Sequence, residues 1–462
     1  MEKIKFWIAL WAGKFFIHVY RLLGKEQDDR PGMLSMKICN HFLTYVSKPE
    51  LTVIVTGTNG KTTVTNLLAE MLSLSGKKTV FNLYGANTNA GQAITMLKCV
   101  NIFNKPTVDA VVLESDELMS YFAFPQLDAD YILITNIARD SMFRNASPDY
   151  IQGKLKEGIE LSKKATLILN GDDPLSCVFE GNNKEVYFGV CDQHTPVYDH
   201  HIDDFPACHI CGYPPVYNYR NYRHIGDYYC PHCGFKAPQR DFMVSAITDE
   251  KMTIRERDGR KFDYPLISGD IHQLYNVASI IALLRDYGYS PEKISDLLSQ
   301  IKLPEVREFA ANVNGVDVIC KTLKTQNSTG SSVTMESLAH EEGNMIVIVG
   351  MDEEFKGSNS NLCEVGTYIY DFDYEFLNRD NLKQLIIAGD RAYDHQLRAL
   401  LSGIPKEKIS VTLHNGDAFQ YVDLEDVDKV FVLKNNFGYA SIKAVYQQIV
   451  EALERKEQGY ED

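Results

Sequence analysis

At 462 residues, 45% hydrophobic and 24% charged, the chain has material for two or three domains with sizeable cores. Its formal net charge of −15 argues against a protein whose main task is gripping nucleic acid. No run reaches the ~18 uncharged apolar residues of a membrane-crossing helix, and no small-residue cleavage site follows the N-terminus, so a cytoplasmic location is expected.

The N-terminal segment, 1–45, reads as helical. Phe6 to Leu23 is apolar and holds both tryptophans, Trp7 and Trp11, with Lys3, Lys5, Lys14 and Arg21 nearby. Such a helix either packs on the body of the protein or makes peripheral contact with an anionic membrane surface. Apolar stripes are usually core, which favours packing. A linker, Gln27 to Gly32, follows. Strands are then expected at Leu51–Thr56, Thr79–Leu83, Ala110–Glu114, Tyr131–Thr135, Thr166–Leu169 and Val186–Val190, with helical patterns between most of them. That alternation is the pattern of an α/β doubly wound parallel sheet, here spanning 46–303. From 198 to 240 the composition shifts to Cys, His, Tyr, Pro and Gly, the mark of an inserted module. Asp270 to Tyr287 reads as a helix. After Leu303-Pro304 the alternation resumes, with strands at Val316–Cys320, Met345–Val349, Gln384–Ile387 and Lys429–Leu433. A second, Rossmann-like α/β domain is expected over 304–462.

The most informative motif is Gly57-Thr58-Asn59-Gly60-Lys61-Thr62-Thr63, between an apolar strand and a helix beginning near Val64. That geometry aims backbone N–H groups and a helix N-terminus at phosphate. ATP is the expected ligand, with Lys61 on the terminal phosphates and Thr62 or Thr63 holding Mg²⁺. Only Thr58 and Asn59 separate the two glycines, so the usual spacing of four is not met. Glu114 and Glu117, at the end of the 110–114 strand, are candidates to complete the Mg²⁺ shell. Thr135 to Asp140 (TNIARD) follows the next strand and fits a substrate or phosphate contact, with Arg139 as an anion clamp. Asn170-Gly171-Asp172-Asp173-Pro174 follows another, where a bare turn explains the residues equally well. His272 and Asn276 share a helix face that could meet a nucleotide base. Cys208-x-x-Cys211 and Cys230-x-x-Cys233, with 18 residues between them, match a zinc ribbon, and each pair is followed by a glycine (Gly212, Gly234). Four thiolates close a tetrahedron and leave no position for water, so this Zn²⁺ is structural.

Taken together and in this order, these motifs resemble the ATP-dependent Mur ligases, and the inserted ribbon narrows the resemblance to their MurT family. Members are the ligase-like subunits of lipid II isoglutaminyl synthases. The resemblance covers essentially the whole chain and is strongest from Thr56 to Asn276. It implies a Mur-ligase-type ATP-binding domain and amidation of the D-glutamate α-carboxyl in a lipid-linked peptidoglycan precursor. It also implies an acyl phosphate, with ammonia from a GatD-like glutamine amidotransferase partner. Carried over residue by residue, Gly60 to Thr63 bind phosphates and Mg²⁺, and Glu117 (or Glu114) binds Mg²⁺. Asn170, Asp172, Asn276 and Arg307 would contact the nucleotide. Amino-acid-adding relatives carry Asp-His after the TN strand, where this chain has Arg139-Asp140-Ser141; ammonia is therefore the expected acceptor. The family's tryptophan-rich segment, whose aspartate completes the glutaminase's Cys-His pair, is replaced by Glu364 to Asp373, with tyrosines for tryptophans. Asp371 is the best candidate for that carboxylate and Glu364 the second. Two other readings stay open: a stand-alone amino-acid ligase of the Mur or folylpolyglutamate type, and a silent ATP-binding scaffold for a glutaminase.

Overall fold

The computed structural model describes residues 1–24, 29–82, 87–140, 147–179, 181–194, 200–301, 309–323, 328–351, 366–434 and 439–457. They fall into two compact units. The first is Met1–Ala138, Pro148–Asp199 and Asp203–Leu303; the second is Arg139–Ser147, His200–Ile202 and Pro304–Asp462.

The first unit opens with three helices, α1 (Glu2–Leu22), α2 (Arg30–Ile38) and α3 (Phe42–Tyr45). One face of α1 is buried through Phe6, Ala9, Leu10 and Gly13. Gly13 is required there, because a Cβ would lie 2.4 Å from the Ser35 hydroxyl. The chain then alternates: β1 (Leu51–Thr56), α4 (Lys61–Leu74), β2 (Thr79–Phe81), α5 (Asn89–Cys99), β3 (Ala110–Glu114), α6 (Ser120–Leu127), β4 (Tyr131–Ile134), α7 (Pro148–Glu160), β5 (Thr166–Asn170) and β6 (Glu185–Val190). These six strands are parallel, in the order β6-β5-β4-β1-β3-β2. Every residue of β1 is buried, as expected of an unbroken apolar run at the centre of a parallel sheet.

The inserted module forms an antiparallel hairpin, β7 (Val216–Tyr222) and β8 (Ile225–Tyr229), separate from the main sheet. Three further strands, β9 (Phe242–Ile247), β10 (Lys251–Glu256) and β11 (Lys261–Pro265), extend the sheet beyond β6 to nine strands among the described residues. β9 runs parallel to β6, and the last two pairings are antiparallel. The sequence reading has the α/β pattern resume after the inserted module but gives no strand bounds here. Alternating buried and exposed residues in β10 mark a half-solvated strand, whose apolar signal is half that of a buried one. Helices α8 (Ile271–Tyr287) and α9 (Pro291–Gln300) close the unit. The Asp270 carboxylate accepts from the His272 and Gln273 N–H groups and so starts α8, while Gly288, at φ 106°, ends it.

The second unit is built on a six-stranded sheet among the described residues, β12 (Phe309–Val313), β13 (Val316–Thr322), β14 (Met345–Met351), β15 (Leu382–Gly389), β16 (Ile409–Thr412) and β17 (Lys429–Lys434). Its order is β12-β13-β17-β14-β15-β16. All pairings are parallel except β12–β13, a hairpin whose Asn314-Gly315 turn has φ of 56° and 81°. Helices α10 (Ser328–Leu338), α11 (Ala392–Leu401) and α12 (Tyr439–Glu457) complete it.

Candidate active site

The carboxyl ends of β1, β3, β4 and β5 bring the motifs of the first unit together. β1 runs into Gly57 and Gly60, with φ of 120° and 86°, conformations that L side chains rarely adopt. Space closes both positions as well. A Cβ on Gly57 would lie 2.3 Å from the Thr135 hydroxyl, and one on Gly60 would lie 2.3 Å from the Asn276 Oδ1. Gly60 also stands at the N-cap of α4 and makes no side-chain cap, and the start of a helix is a place where backbone N–H groups and the helix dipole favour an anion.

The Lys61 ammonium donates to the Gly57 carbonyl at 2.5 Å and to the Glu117 carboxylate at 2.8 Å. The Thr62 hydroxyl donates to Glu114 at 2.9 Å. Glu114 and Glu117 are each only 2% exposed. Glu114 is held through its backbone, which exchanges two hydrogen bonds with the Asn82 side chain at 2.7 and 2.9 Å. Buried carboxylates beside a hydroxyl make a hard-oxygen donor set of the kind that suits Mg²⁺. Thr63 follows on the first turn of α4.

The segment after β4 braces the loop. The Thr58 hydroxyl donates to the Ala138 carbonyl at 3.0 Å and accepts from the Ala138 N–H at 2.9 Å. Asn136 accepts from the Asn59 N–H at 3.2 Å and donates back to the Asn59 carbonyl at 3.1 Å, while Thr135 donates to the same carbonyl at 2.6 Å. Thr135 and Asn136, expected to meet substrate or phosphate, thus hold the phosphate-loop backbone. Arg139, expected as an anion clamp, pairs with Asp371 at 3.1 Å within the second unit.

Asn170 and Asp172 are fully buried. Asn170 donates to the Thr135 carbonyl at 3.1 Å and accepts from the Asp172 N–H at 3.1 Å. The Asp172 carboxylate accepts from Arg240 at 2.7 Å, the Tyr275 hydroxyl at 2.7 Å and the Val190 N–H at 2.8 Å. The polar atoms of both are engaged inside the protein, Asn170 beside the loop-bracing Thr135 and Asp172 beside Arg240 and α8. Asn276, by contrast, lies against Gly60. His272 packs edge-on to Tyr222, ring centroids 4.4 Å apart. Arg307 and Glu364 lie outside the described residues.

The four cysteine Sγ atoms of the insertion lie within 4.8 Å of one another, with Cys208–Cys233 at 3.6 Å and Cys211–Cys230 at 3.5 Å. Tetrahedral Zn–S bonds of about 2.3 Å place sulfurs roughly 3.8 Å apart, so the cluster fits a metal ion of that size. Gly212 and Gly234, at φ of 73° and 79°, turn each knuckle so that their N–H groups reach back to the Cys208 and Cys230 carbonyls.

Sequence reasoning missed the hook that ties this module to the loop-bracing segment. His224, between β7 and β8, is buried with its Nε2 3.0 Å from the Ile137 carbonyl and 3.4 Å from Asp173. Asp173 accepts from the Ile137 N–H at 2.7 Å. Burial opposes charge on His224, but the hydrogen bond and charge of Asp173 outweigh it and raise its pKa above the ordinary 6.5. The only sequence signal was Asp173 itself, in a motif that also reads as a turn.

Two family models match the chain: the Mur ligase middle domain over residues 55–207 and the MurT ligase C-terminal domain over 325–438. A lipid II isoglutaminyl synthase subunit MurT of Staphylococcus aureus (strain COL) is 25% identical over 86% of this chain and 88% of its own. The corresponding subunit of Streptococcus pneumoniae (strain ATCC BAA-255 / R6) is 25% identical over 93% and 94%. Among solved structures, a pseudomurein peptide ligase type C from Methanothermus fervidus superposes with a TM-score of 0.59 at 21% identity, over 89% of this chain and 80% of that one. MurF from Acinetobacter baumannii gives 0.60 at 14% identity, over 90% and 80%. These two show the shared fold.

Proposed function

We propose that the chain is a MurT-type member of the Mur ligases, which are ATP-dependent ligases, and that it amidates a stem-peptide carboxylate of a lipid-linked peptidoglycan precursor; its similarity to MurT subunits over most of its length supports this reading. The observation that carries the reading is the Lys61–Glu117 and Thr62–Glu114 pairing at the N-terminus of α4. Gly57 to Thr63 would cradle ATP, with Lys61 on its terminal phosphates. Thr62 and Glu117, with Glu114 beside them, would hold Mg²⁺, which offsets phosphate charge when bound.

A carboxylate is a poor electrophile. Attack of its oxygen on the γ-phosphorus releases ADP and converts the carboxylate to an acyl phosphate, whose phosphate then leaves as ammonia attacks the carbonyl carbon. In this reading Lys61 and the α4 N–H groups stabilise charge on the transferred phosphoryl group. Ammonia would come from a GatD-like glutaminase. Asp371, held by Arg139, remains our candidate to complete that partner's Cys-His pair. The precursor would be met at the inner face of the membrane. The ribbon ion is read as structural zinc, and the domain organisation as an N-terminal helical segment, an ATP-binding domain with the ribbon insertion, and a partner-binding C-terminal domain.

The test supplies purified protein with ATP, Mg²⁺, precursor and ammonium chloride, and follows the carboxamide product by mass spectrometry. Amide should form with ammonia and not with free amino acids. Lys61→Ala should abolish it even at saturating ammonium. Amino-acid ligation, or amidation that survives Lys61→Ala, would overturn the reading.

A further inference from the structure

The face of α1 opposite its buried one is also apolar. Ile4, Ile8, Trp11, Phe15 and Leu22 recur at helical spacing along a single stripe, and all are exposed. Trp11 is 55% and Phe15 64% exposed, values that exclude a core role for this stripe. Beside it, the tight loop between α5 and β3 presents Ile102 and Phe103, the latter 68% exposed. The Trp11 indole donates to the Ile102 carbonyl at 3.0 Å, so loop and helix form one continuous apolar surface.

Charge around this surface runs against that of the chain. Residues 1–24 carry Lys3, Lys5, Lys14 and Arg21 against Glu2 alone, in a protein of net charge −15. On a helical wheel Lys3, Lys14 and Arg21 fall along one margin of the stripe and Lys5 along the other, with Lys105 on the adjoining loop. An apolar stripe bearing an exposed tryptophan between basic margins is the build of a helix lying in the plane of an anionic bilayer. A second copy of the chain would bring like-charged margins together. No helix among the described residues is long and apolar enough to cross a membrane.

We propose that α1 and the Ile102–Phe103 loop form a peripheral docking surface for an anionic lipid bilayer. The choice of a bilayer as occupant rests in part on the lipid-linked acceptor proposed above, but docking itself is separable from catalysis.

Trp7 and Trp11 are the chain's only tryptophans, so its intrinsic fluorescence reports on α1. Titration of the full chain with phosphatidylglycerol vesicles should blue-shift the emission and carry the protein down with the vesicles. Phosphatidylcholine vesicles should do neither to a comparable degree. Raised salt should weaken binding, and Lys3→Gln should weaken it by about fivefold, the worth of one basic residue near an anionic surface. Phe15→Asp with Phe103→Asp should lower vesicle affinity at least tenfold and leave circular dichroism and ATP affinity unchanged. Absence of a blue shift with anionic vesicles would overturn the proposal. So would a double variant that binds vesicles normally, or one that instead dissolves a dimer seen by sedimentation. ATP binding in the same preparations keeps these failures distinct from failure of the ligase reading.

Discussion

Gly60→Ala should disable the nucleotide site without unfolding the protein. Two costs meet at this position. Alanine at φ 86° carries roughly 1–2 kcal/mol of backbone strain. Its Cβ would also stand 2.3 Å from the Asn276 Oδ1, where ordinary contact begins at 3.4 Å, so the Asn276 side chain, the loop or α8 must yield by 1.1 Å. A displacement of ~1 Å at a positioned site can cost ~10²-fold in rate. Gly76 separates the two costs: its φ is 93°, yet nothing lies within 4 Å of its would-be Cβ. Gly76→Ala therefore carries strain alone and should lower stability with ATP affinity intact. Gly60→Ala should weaken ATP at least ~tenfold, a loss of about 1.4 kcal/mol, in isothermal titration calorimetry. If the clash is the cause, Asn276→Ala in the Gly60→Ala background should restore part of the loss, beyond the effect of Asn276→Ala on its own. Unchanged ATP affinity in Gly60→Ala, with a stability loss equal to that of Gly76→Ala, would refute the placement of Asn276 against the loop.

Stripping the ribbon metal with a chelator should weaken ATP binding, because His224 links the β7–β8 hairpin to the Ile137 carbonyl beside the loop-bracing residues. His224→Ala should reproduce the effect with the metal still bound; an unaltered dissociation constant in both would sink this coupling. In the second unit, His395 is buried neutral, and desolvation with the nearby Arg391 charge lowers its pKa from 6.5 to about 3. The unfolded chain then binds the proton that the folded chain refuses. Stability contributed by this site is therefore complete above pH 6.5 and falls between pH 6.5 and about 3, by at most about 1.4 kcal/mol per pH unit. Urea melts of His395→Leu should show a shallower acid dependence over that window, and an identical slope would show that His395 does not titrate as described. Asp371→Asn should spare ammonium-dependent amidation and lower the glutamine-dependent rate when a glutaminase partner is present, whereas equal loss of both would rule out an inter-subunit role.

Local pattern determined a great deal here. The buried strands of both sheets are unbroken apolar runs, and β1 and β3 occur at the expected residues because such a run has no other stable place than the middle of a parallel sheet. The strand, glycine turn and helix start around Lys61 and Thr62 were legible because an apolar run, two closely spaced glycines and a helical pattern follow in immediate succession. The cysteine knuckles were legible because two CxxC pairs at ribbon spacing bring four thiols together, here within 4.8 Å. The polar residues beyond the strand ends were not assignable, since a sequence gives each side chain's chemistry but not which neighbour exhausts it. Only the packed structure turned Thr135 and Asn136 onto the loop, Asn170 onto the Thr135 carbonyl and Asp172 toward Arg240 and α8. It also carried His224 from the inserted ribbon to the Ile137 carbonyl, 87 residues away in the chain. The half-solvated strands β9–β11 escaped notice because their apolar signal is divided between two faces. For α1 the sequence supplied a helix with apolar residues on opposite faces, and tertiary packing decided which was core: Phe6, Ala9, Leu10 and Gly13 are buried, while the opposite stripe stays exposed.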